Sequence, residues 1–172
     1  MSFVLPPRSN ASIRTAILAA AVCGAAALWA HPGLAAASPF ARFAGDWTGG
    51  GQVIGANGDR ERIRCRANYE ESQRGEALSQ TIICASASYR IDIQSYVEAS
   101  GETVRGRWQE QTRNISGELT GRIDGGQFEG AVVGPGFTAG ISLVSDGRRQ
   151  AVNIAPSGGD IADVRIELER RG

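Results

Sequence analysis

Apolar and polar side chains alternate with a period of two over most of the chain. Residues 62–69 show this clearly, because every second residue from Ile63 to Tyr69 is apolar and the alternate positions are three arginines and an asparagine. This alternation is typical of a β-strand with one buried face and one solvent-facing side. The same alternation recurs in further short runs, at residues 90–94, 115–123, 137–143, 152–154 and 164–169.

Turn-forming residues separate these runs at short and regular intervals. Examples are Asn57-Gly58 and Asp124-Gly125-Gly126, and only residues 39–44 could form a single helical turn. Consecutive hairpins without long crossovers are typical of a meander that closes on itself. The sequence therefore predicts an all-β fold over residues 46–172. We expect a single antiparallel up-and-down β-barrel of about 8–10 strands, preceded by a short lead-in at residues 38–45.

The first 37 residues follow a different pattern. A basic start is followed by a run of small and apolar residues at 15–28, and Ala35-Ala36-Ala37 comes directly before Ser38. This order is typical of a secretory signal peptide, and the apolar run is shorter than the roughly 20 residues that span a bilayer. We predict that residues 1–37 are cleaved and that the mature protein is periplasmic or secreted.

Charge and histidine content limit the classes of binding and catalysis that the mature chain is expected to support. Two of the 18 basic residues, all of them arginines, leave with the signal, so 16 basic residues face 18 acids and the formal charge is −2. That balance lacks the basic footprint of a nucleic-acid-binding protein. The single histidine, His31, lies in the predicted signal, so the mature chain has no imidazole for catalysis or for haem or zinc ligation. Glu110 is the one acid in phase with a buried face. We expect no cofactor, no metal and no enzymatic activity.

Two of the three cysteines predict a disulfide. Cys23 lies within the signal, which leaves Cys65 and Cys84 as an even pair in an exported chain. A hairpin that turns at Arg74-Gly75, midway between them, places the two cysteines opposite each other on neighbouring strands. The hairpin register and the disulfide are therefore mutually consistent.

The opening Gly45-Asp46-Trp47, followed by a meander whose last strand carries arginines, resembles the calycin superfamily, lipocalins above all. In that family the tryptophan packs across one barrel end and a basic residue of the last strand covers it. The resemblance implies that Trp47 takes the first role and Arg165, or alternatively Arg170, the second. The same opening resembles nitrobindin-type haem barrels, whose histidine ligand the mature chain lacks. In its size, predicted export and predicted disulfide, the chain also resembles small periplasmic protease and lysozyme inhibitors.

Aromatic and apolar residues in phase with the buried face are candidates for a ligand cavity. Pockets for small molecules are mostly apolar with a few polar groups, although the same side chains could instead fill a solid barrel. Glycines within the later strands leave the same two options, since they either let the sheet coil or leave room for a ligand. The candidate ligand-binding residues are Tyr69, Trp108, Phe128, Phe137 and Ile141.

The leading hypothesis is an exported, non-enzymatic protein that binds a small apolar or amphipathic molecule. A row of arginines at positions 60, 62, 64 and 66 keeps a second hypothesis open. That row could hold an acidic partner or an anionic glycan, or it could be a solvated outer face that pairs with acids on neighbouring strands. The alternatives are a protein-binding periplasmic module, such as a hydrolase inhibitor, and a structural envelope protein. The charged outer face predicts that the mature chain spans no membrane.

Overall fold

Ten antiparallel strands close into one barrel in the computed structural model, which describes residues 37–88 and 90–172. Each strand pairs with the next one in the chain, and the first strand pairs with the last to complete the ring. The predicted up-and-down barrel is thereby confirmed. The strands are β1 (Gly45–Gly55), β2 (Arg60–Glu71), β3 (Ala77–Ala85), β4 (Arg90–Ser100), β5 (Thr103–Glu110), β6 (Ile115–Asp124), β7 (Gln127–Gly134), β8 (Phe137–Ser145), β9 (Arg149–Ser157) and β10 (Ile161–Arg170).

The predicted signal peptide at residues 1–37 lies outside the described residues except for Ala37. Cys23 and His31 lie outside them as well. Within residues 37–88 and 90–172, no helix has the length and apolarity needed to cross a membrane.

Strand pairing converts the alternation of the sequence into an inside and an outside. Cys65 lies opposite Cys84, and Ala67 lies opposite Ile82, so the apolar rows of β2 and β3 share the inner face. The intervening residues, including Arg64 and Arg66, are exposed on the outer face. The predicted disulfide is confirmed, since Cys65 and Cys84 are bonded with their Cα atoms 4.1 Å apart.

A short segment before β1 closes one end of the barrel. Phe40 and Phe43 are 2% and 3% exposed and belong to the core. The segment is fastened at both sides of the barrel end, because the Ser38 hydroxyl donates to the Gly75 carbonyl (2.8 Å) and the Ser145 hydroxyl donates to the Arg42 carbonyl (2.6 Å). We call this the plugged end. The opposite end, where β1 stops and β2 starts, has no comparable segment among the described residues, and we call it the open end.

Glycines of the inner face allow tight coiling of the sheet. A Cβ on Gly51 would lie 1.8 Å from the Arg165 carbonyl oxygen, and one on Gly117 would lie 1.8 Å from the Val133 carbonyl oxygen. No side chain fits such gaps, so these glycines let neighbouring strands approach closely. Gly51 belongs to β1 and Gly117 to β6, which are opposite each other in the ring of ten strands. These inward-facing glycines are therefore explained by coiling of the sheet and not by room for a ligand.

Candidate functional site

Trp47 is the centre of the plugged end. Its side chain is fully buried, and its indole nitrogen donates to the Phe43 carbonyl at 2.8 Å. The Arg170 guanidinium carbon lies 5.0 Å from the centre of the indole ring, within the range of a cation–π contact. The same guanidinium donates to the Ala44 carbonyl at 2.5 Å. One arginine therefore covers the tryptophan and fastens the plug segment.

Arg170, and not Arg165, is the basic residue that covers Trp47. Arg165 lies on the outer face of β10, where its guanidinium pairs with the Asp163 carboxylate at 2.6 Å. Arg170 is in phase with the inward residues Ile166 and Leu168 of the same strand. The assignment to Arg165 is corrected to Arg170, which was the alternative that the resemblance left open.

The interior changes character from the plugged end to the open end. Near the plug, the inward side chains are almost fully buried, as with Leu78 (2% exposed), Val104 (1%) and Leu168 (3%). Farther from the plug, Val53 and Ile63 are still buried, but many inward apolar side chains keep partial exposure. We call this set the accessible lining: Ile82, Ile93, Ile115, Val132, Ile141, Val152, Ile154 and Val164.

The candidate ligand-binding residues all face inward but lie in two places. Tyr69 is 3% exposed near the plug, where burial raises the pKa of its phenol. Phe128, near the same end, packs across Gly121 and Gly130, whose added Cβ atoms would each lie 2.7 Å from its ring. These two aromatic side chains therefore lie in the plugged half of the interior.

The remaining candidates lie toward the open end. Trp108 and Phe137 meet edge to face, with ring centres 5.6 Å apart and an angle of 67° between the ring planes. The Trp108 indole nitrogen donates to the Glu118 carbonyl at 3.2 Å. Phe137 is 36% exposed, and Ile141 on the same strand is partly exposed. Phe137 and Ile141 therefore keep accessible surface, whereas Trp108 is 8% exposed.

Glu110 lies at the open end but serves the β5–β6 turn. Its carboxylate accepts hydrogen bonds from the backbone N–H groups of Asp92 (3.2 Å), Thr112 (3.0 Å) and Arg113 (2.7 Å), and from the Thr112 hydroxyl. Burial raises the pKa of Glu110, but these hydrogen bonds outweigh it and lower the pKa to about 2. Both oxygens are occupied, so the carboxylate stabilises the turn.

A second acid at the same end, Glu61, is held in a comparable way. Hydrogen bonds from the Ser86 and Ser88 hydroxyls lower the pKa of its carboxyl, and the Ser88 hydroxyl lies 2.6 Å from Oε1. The expectation that Glu110 is the one acid in phase with a buried face is therefore wrong, because Glu61 is half-buried and in phase with the inward Ile63 of β2. Both acids are engaged by neighbouring loops, so the surface that stays available inside the open end is apolar.

Two shallow grooves lie on the outside of the barrel. One of about 700 Å³ follows the outer face of β6 to β9 past Arg122, Ser142 and Asn153. The other, of about 870 Å³, lies beside the β2–β3 turn and passes Tyr96 and Arg105. Both are lined largely by outward-facing polar residues, and the first also includes Ile141 of the accessible lining.

Neither protein-family profiles nor curated protein sequences contain a match to this chain. Solved structures do match. An S-type phycobiliprotein lyase from Guillardia theta is 10% identical, with a TM-score of 0.56 over 77% of this chain and 90% of the other. The protein Rv2717c from M. tuberculosis is 15% identical, with a TM-score of 0.62 over 83% and 99%. Both are ten-stranded antiparallel barrels of the calycin-like kind, and at these identities the likeness shows the fold.

The lyase corrects one expectation from the sequence. The absence of an imidazole and of paired carboxylates led to the prediction that the chain is not an enzyme, and that prediction is wrong. A chain with this barrel fold is a lyase, so the scaffold is compatible with enzymatic activity. The likeness assigns no reaction to this chain.

Proposed function

We propose that this protein is an exported barrel that binds a small apolar or amphipathic molecule through its open end. The observation that carries the proposal is the accessible lining, in which aliphatic side chains inside a closed barrel remain partly exposed. Apolar surface inside a concave site is typical of small-molecule pockets. The fold supports the proposal as well, since a barrel of this kind occurs in a phycobiliprotein lyase.

The chemistry of the open end favours an amphipathic ligand. Each 100 Å² of apolar surface removed from water contributes about 2.5 kcal/mol, so covering several of the isoleucines supplies a useful binding energy. The two acids of this end, Glu61 and Glu110, are occupied by hydrogen bonds from their own loops. They therefore offer little to a polar group deep inside. A ligand with a polar end is best placed with that end at the rim, in contact with water.

Native mass spectrometry of protein from the periplasm tests both parts of the proposal. The full chain, with its predicted signal, is expressed in its own host or a related one and purified from the periplasmic fraction. We expect an intact mass that corresponds to residues 38–172 and a second species with a bound small molecule. Protein that stays in the cytoplasm with residues 1–37 attached would contradict export.

A pair of neighbouring substitutions tests the binding site. Ile141 faces inward on β8, and the next residue, Ser142, is exposed on the outer face. With anilinonaphthalene sulfonate as the probe, we expect Ile141→Trp to weaken binding at least tenfold, because the larger side chain fills the site. Ser142→Trp should leave the affinity within twofold. Near-UV circular dichroism verifies that both variants are folded. Equal probe binding by the two variants, together with no co-purified ligand, would refute the proposed site.

A further inference from the structure

The arginine row of β2 lacks the partners expected on adjacent strands. Its four members, at positions 60, 62, 64 and 66, are all exposed on the outer face. Successive ones are about 6.6 Å apart, because alternate residues of a strand are separated by two rises. Arg64 lies between Gly50 of β1 and Ala85 of β3. Among the described residues, none of the four forms an ion pair. Pairing with acids of neighbouring strands therefore does not explain the row.

Acidic residues lie on β10, on the other side of β1, at the same height along the strands as the arginines of the row. Strand β10 presents three acids on or toward the outer face, and the registers place each one level with an arginine across β1. Glu167 and Arg64 both lie opposite Gly50, so the two charges flank a residue with no side chain. The three levels are Arg60–Ile54–Asp163, Arg64–Gly50–Glu167 and Arg66–Thr48–Glu169.

This arrangement is self-complementary about a two-fold axis. Neighbouring strands are about 4.8 Å apart, so the basic and acidic columns are about 10 Å apart with β1 midway. A two-fold axis that runs along β1 between two copies exchanges the columns while it keeps each level. It therefore places Arg64 of one copy over Glu167 of the other, and the reverse, as an isologous contact requires. We propose that the outer face of β10, β1 and β2 is the interface of a homodimer.

The shape and charge of this face favour a second copy over an anionic polymer. The face carries three acids beside its five arginines, at positions 60, 62, 64, 66 and 165, and the whole chain carries 18 acidic and 18 basic residues. The net positive charge that could attract a polyanion is therefore small. Thr48 and Gly50, the two small outward residues of β1, let two convex barrels approach at the centre. The long arginine and glutamate side chains then fill the gap where the surfaces diverge. One level is less favourable, because Arg62 would face Arg165. Arg165 pairs with Asp163 of its own chain, so that acid is shared with Arg60 of the other copy.

The predicted dimer is weak and sensitive to salt. A contact over three strands of a convex surface belongs to the class of interfaces that bury less than about 1,200 Å² in total. Exposed ion pairs each contribute little and are screened at high ionic strength. We therefore expect a dissociation constant in the range of tens of micromolar at 50 mM NaCl, and at least a fivefold increase at 500 mM NaCl, measured by sedimentation equilibrium on protein from the periplasm.

Complementary charge reversals provide the decisive experiment. Arg64→Glu and Glu167→Arg should each raise the dissociation constant at least tenfold, because each variant brings like charges together. Mixed in equal amounts, the two variants should form a heterodimer with wild-type affinity, since each copy then meets an opposite charge at both positions. As controls, Arg107→Glu on β5 and Glu129→Arg on β7, both exposed on other parts of the outer face, should leave the affinity unchanged.

Three results would overturn the proposal. The first is a wild-type protein that stays monomeric at several hundred micromolar in low salt. The second is a mixture of the two variants that remains monomeric. That result would mean that both substitutions act within one chain, across Gly50, since mixing two chains cannot restore a contact inside one chain. The third is a monomer that binds a heparin column through Arg64, which would assign the row to a polyanion. None of these results depends on whether the barrel binds a small molecule.

Discussion

At the scale of single residues, the Gly45-Asp46-Trp47 motif has a direct physical explanation. Gly45 has a φ of 130°, a region that side chains rarely occupy. A Cβ at this position would also lie 3.1 Å from Cζ of Arg170. The glycine therefore lets the chain turn into β1 and leaves the space that the guanidinium needs above Trp47.

Substitution of the two arginines of β10 separates the barrel-end role from a surface role. Arg170→Ala removes the cation–π contact and the hydrogen bond to the Ala44 carbonyl, so we expect a loss of about 2 kcal/mol in the free energy of unfolding. Arg165→Ala removes only an exposed ion pair and should cost less than about 0.5 kcal/mol. Urea unfolding of both variants measures the difference. Equal losses would contradict the assignment of Arg170 to the barrel end.

The sequence could have identified Arg170 without a structure. Positions 164, 166 and 168 of the last strand are apolar and face inward, and position 170 continues the same phase, whereas position 165 does not. The same phase rule correctly placed all five candidate ligand residues on the inner face. The accessible lining could not be predicted in this way, since partial exposure of residues such as Ile141 depends on the diameter of the closed ring and on which end the plug covers.

At the scale of secondary-structure elements, Glu110 connects three parts of the chain. It lies at the end of β5 and accepts hydrogen bonds from the β5–β6 turn and from Asp92 of β4. Hydrogen bonds to a carboxylate are stronger than those between neutral groups. One buried acid thus fixes both a turn and the register between two strands.

Acid should weaken this clamp over a defined pH range. The pKa of Glu110 in the folded protein is about 2, against an ordinary value of 4.5. A lowered pKa means that the stabilisation is fully present above pH 4.5 and is lost as the pH falls toward 2. We expect Glu110→Gln to cost about 2 kcal/mol at pH 7, and the difference from wild type should shrink below pH 4.5. Urea unfolding at several pH values measures this, with Glu129→Gln on the outer face as the control. A difference that is independent of pH would contradict the clamp.

At the same scale, the strand glycines show where sequence reasoning stops. The sequence around a glycine such as Gly117 is the same whether the glycine permits coiling of the sheet or leaves space for a ligand. The distance from its position to the Val133 carbonyl decides between the two, and that distance depends on how sharply β6 and β7 coil together. This curvature is a property of the closed sheet, and no local pattern encodes it.

At the scale of the whole molecule, ring closure is the feature that local patterns describe least. Each hairpin was visible as two alternating runs around a turn, and the meander followed from their order. The sequence alone predicts only a range of about 8–10 strands. The exact number depends on the pairing of β1 with β10, which joins residues such as Gly49 and Leu168 that are far apart in sequence. The disulfide was predictable for the opposite reason, since a hairpin centred at Gly75 is local.

That disulfide should stabilise the whole barrel mainly through the unfolded chain. Cys65 and Cys84 are 19 residues apart, and in the chain-entropy model a loop of this length contributes about 3 kcal/mol. We expect Cys65→Ala with Cys84→Ala to lower the midpoint of urea unfolding by a corresponding amount. The slope of the unfolding free energy against urea should also increase, because the reduced unfolded chain is more extended and exposes more surface. Wild-type protein kept in dithiothreitol is the matched control and should behave like the double variant. A lower midpoint with an unchanged slope in both samples would instead mean that the bond acts through packing in the folded barrel.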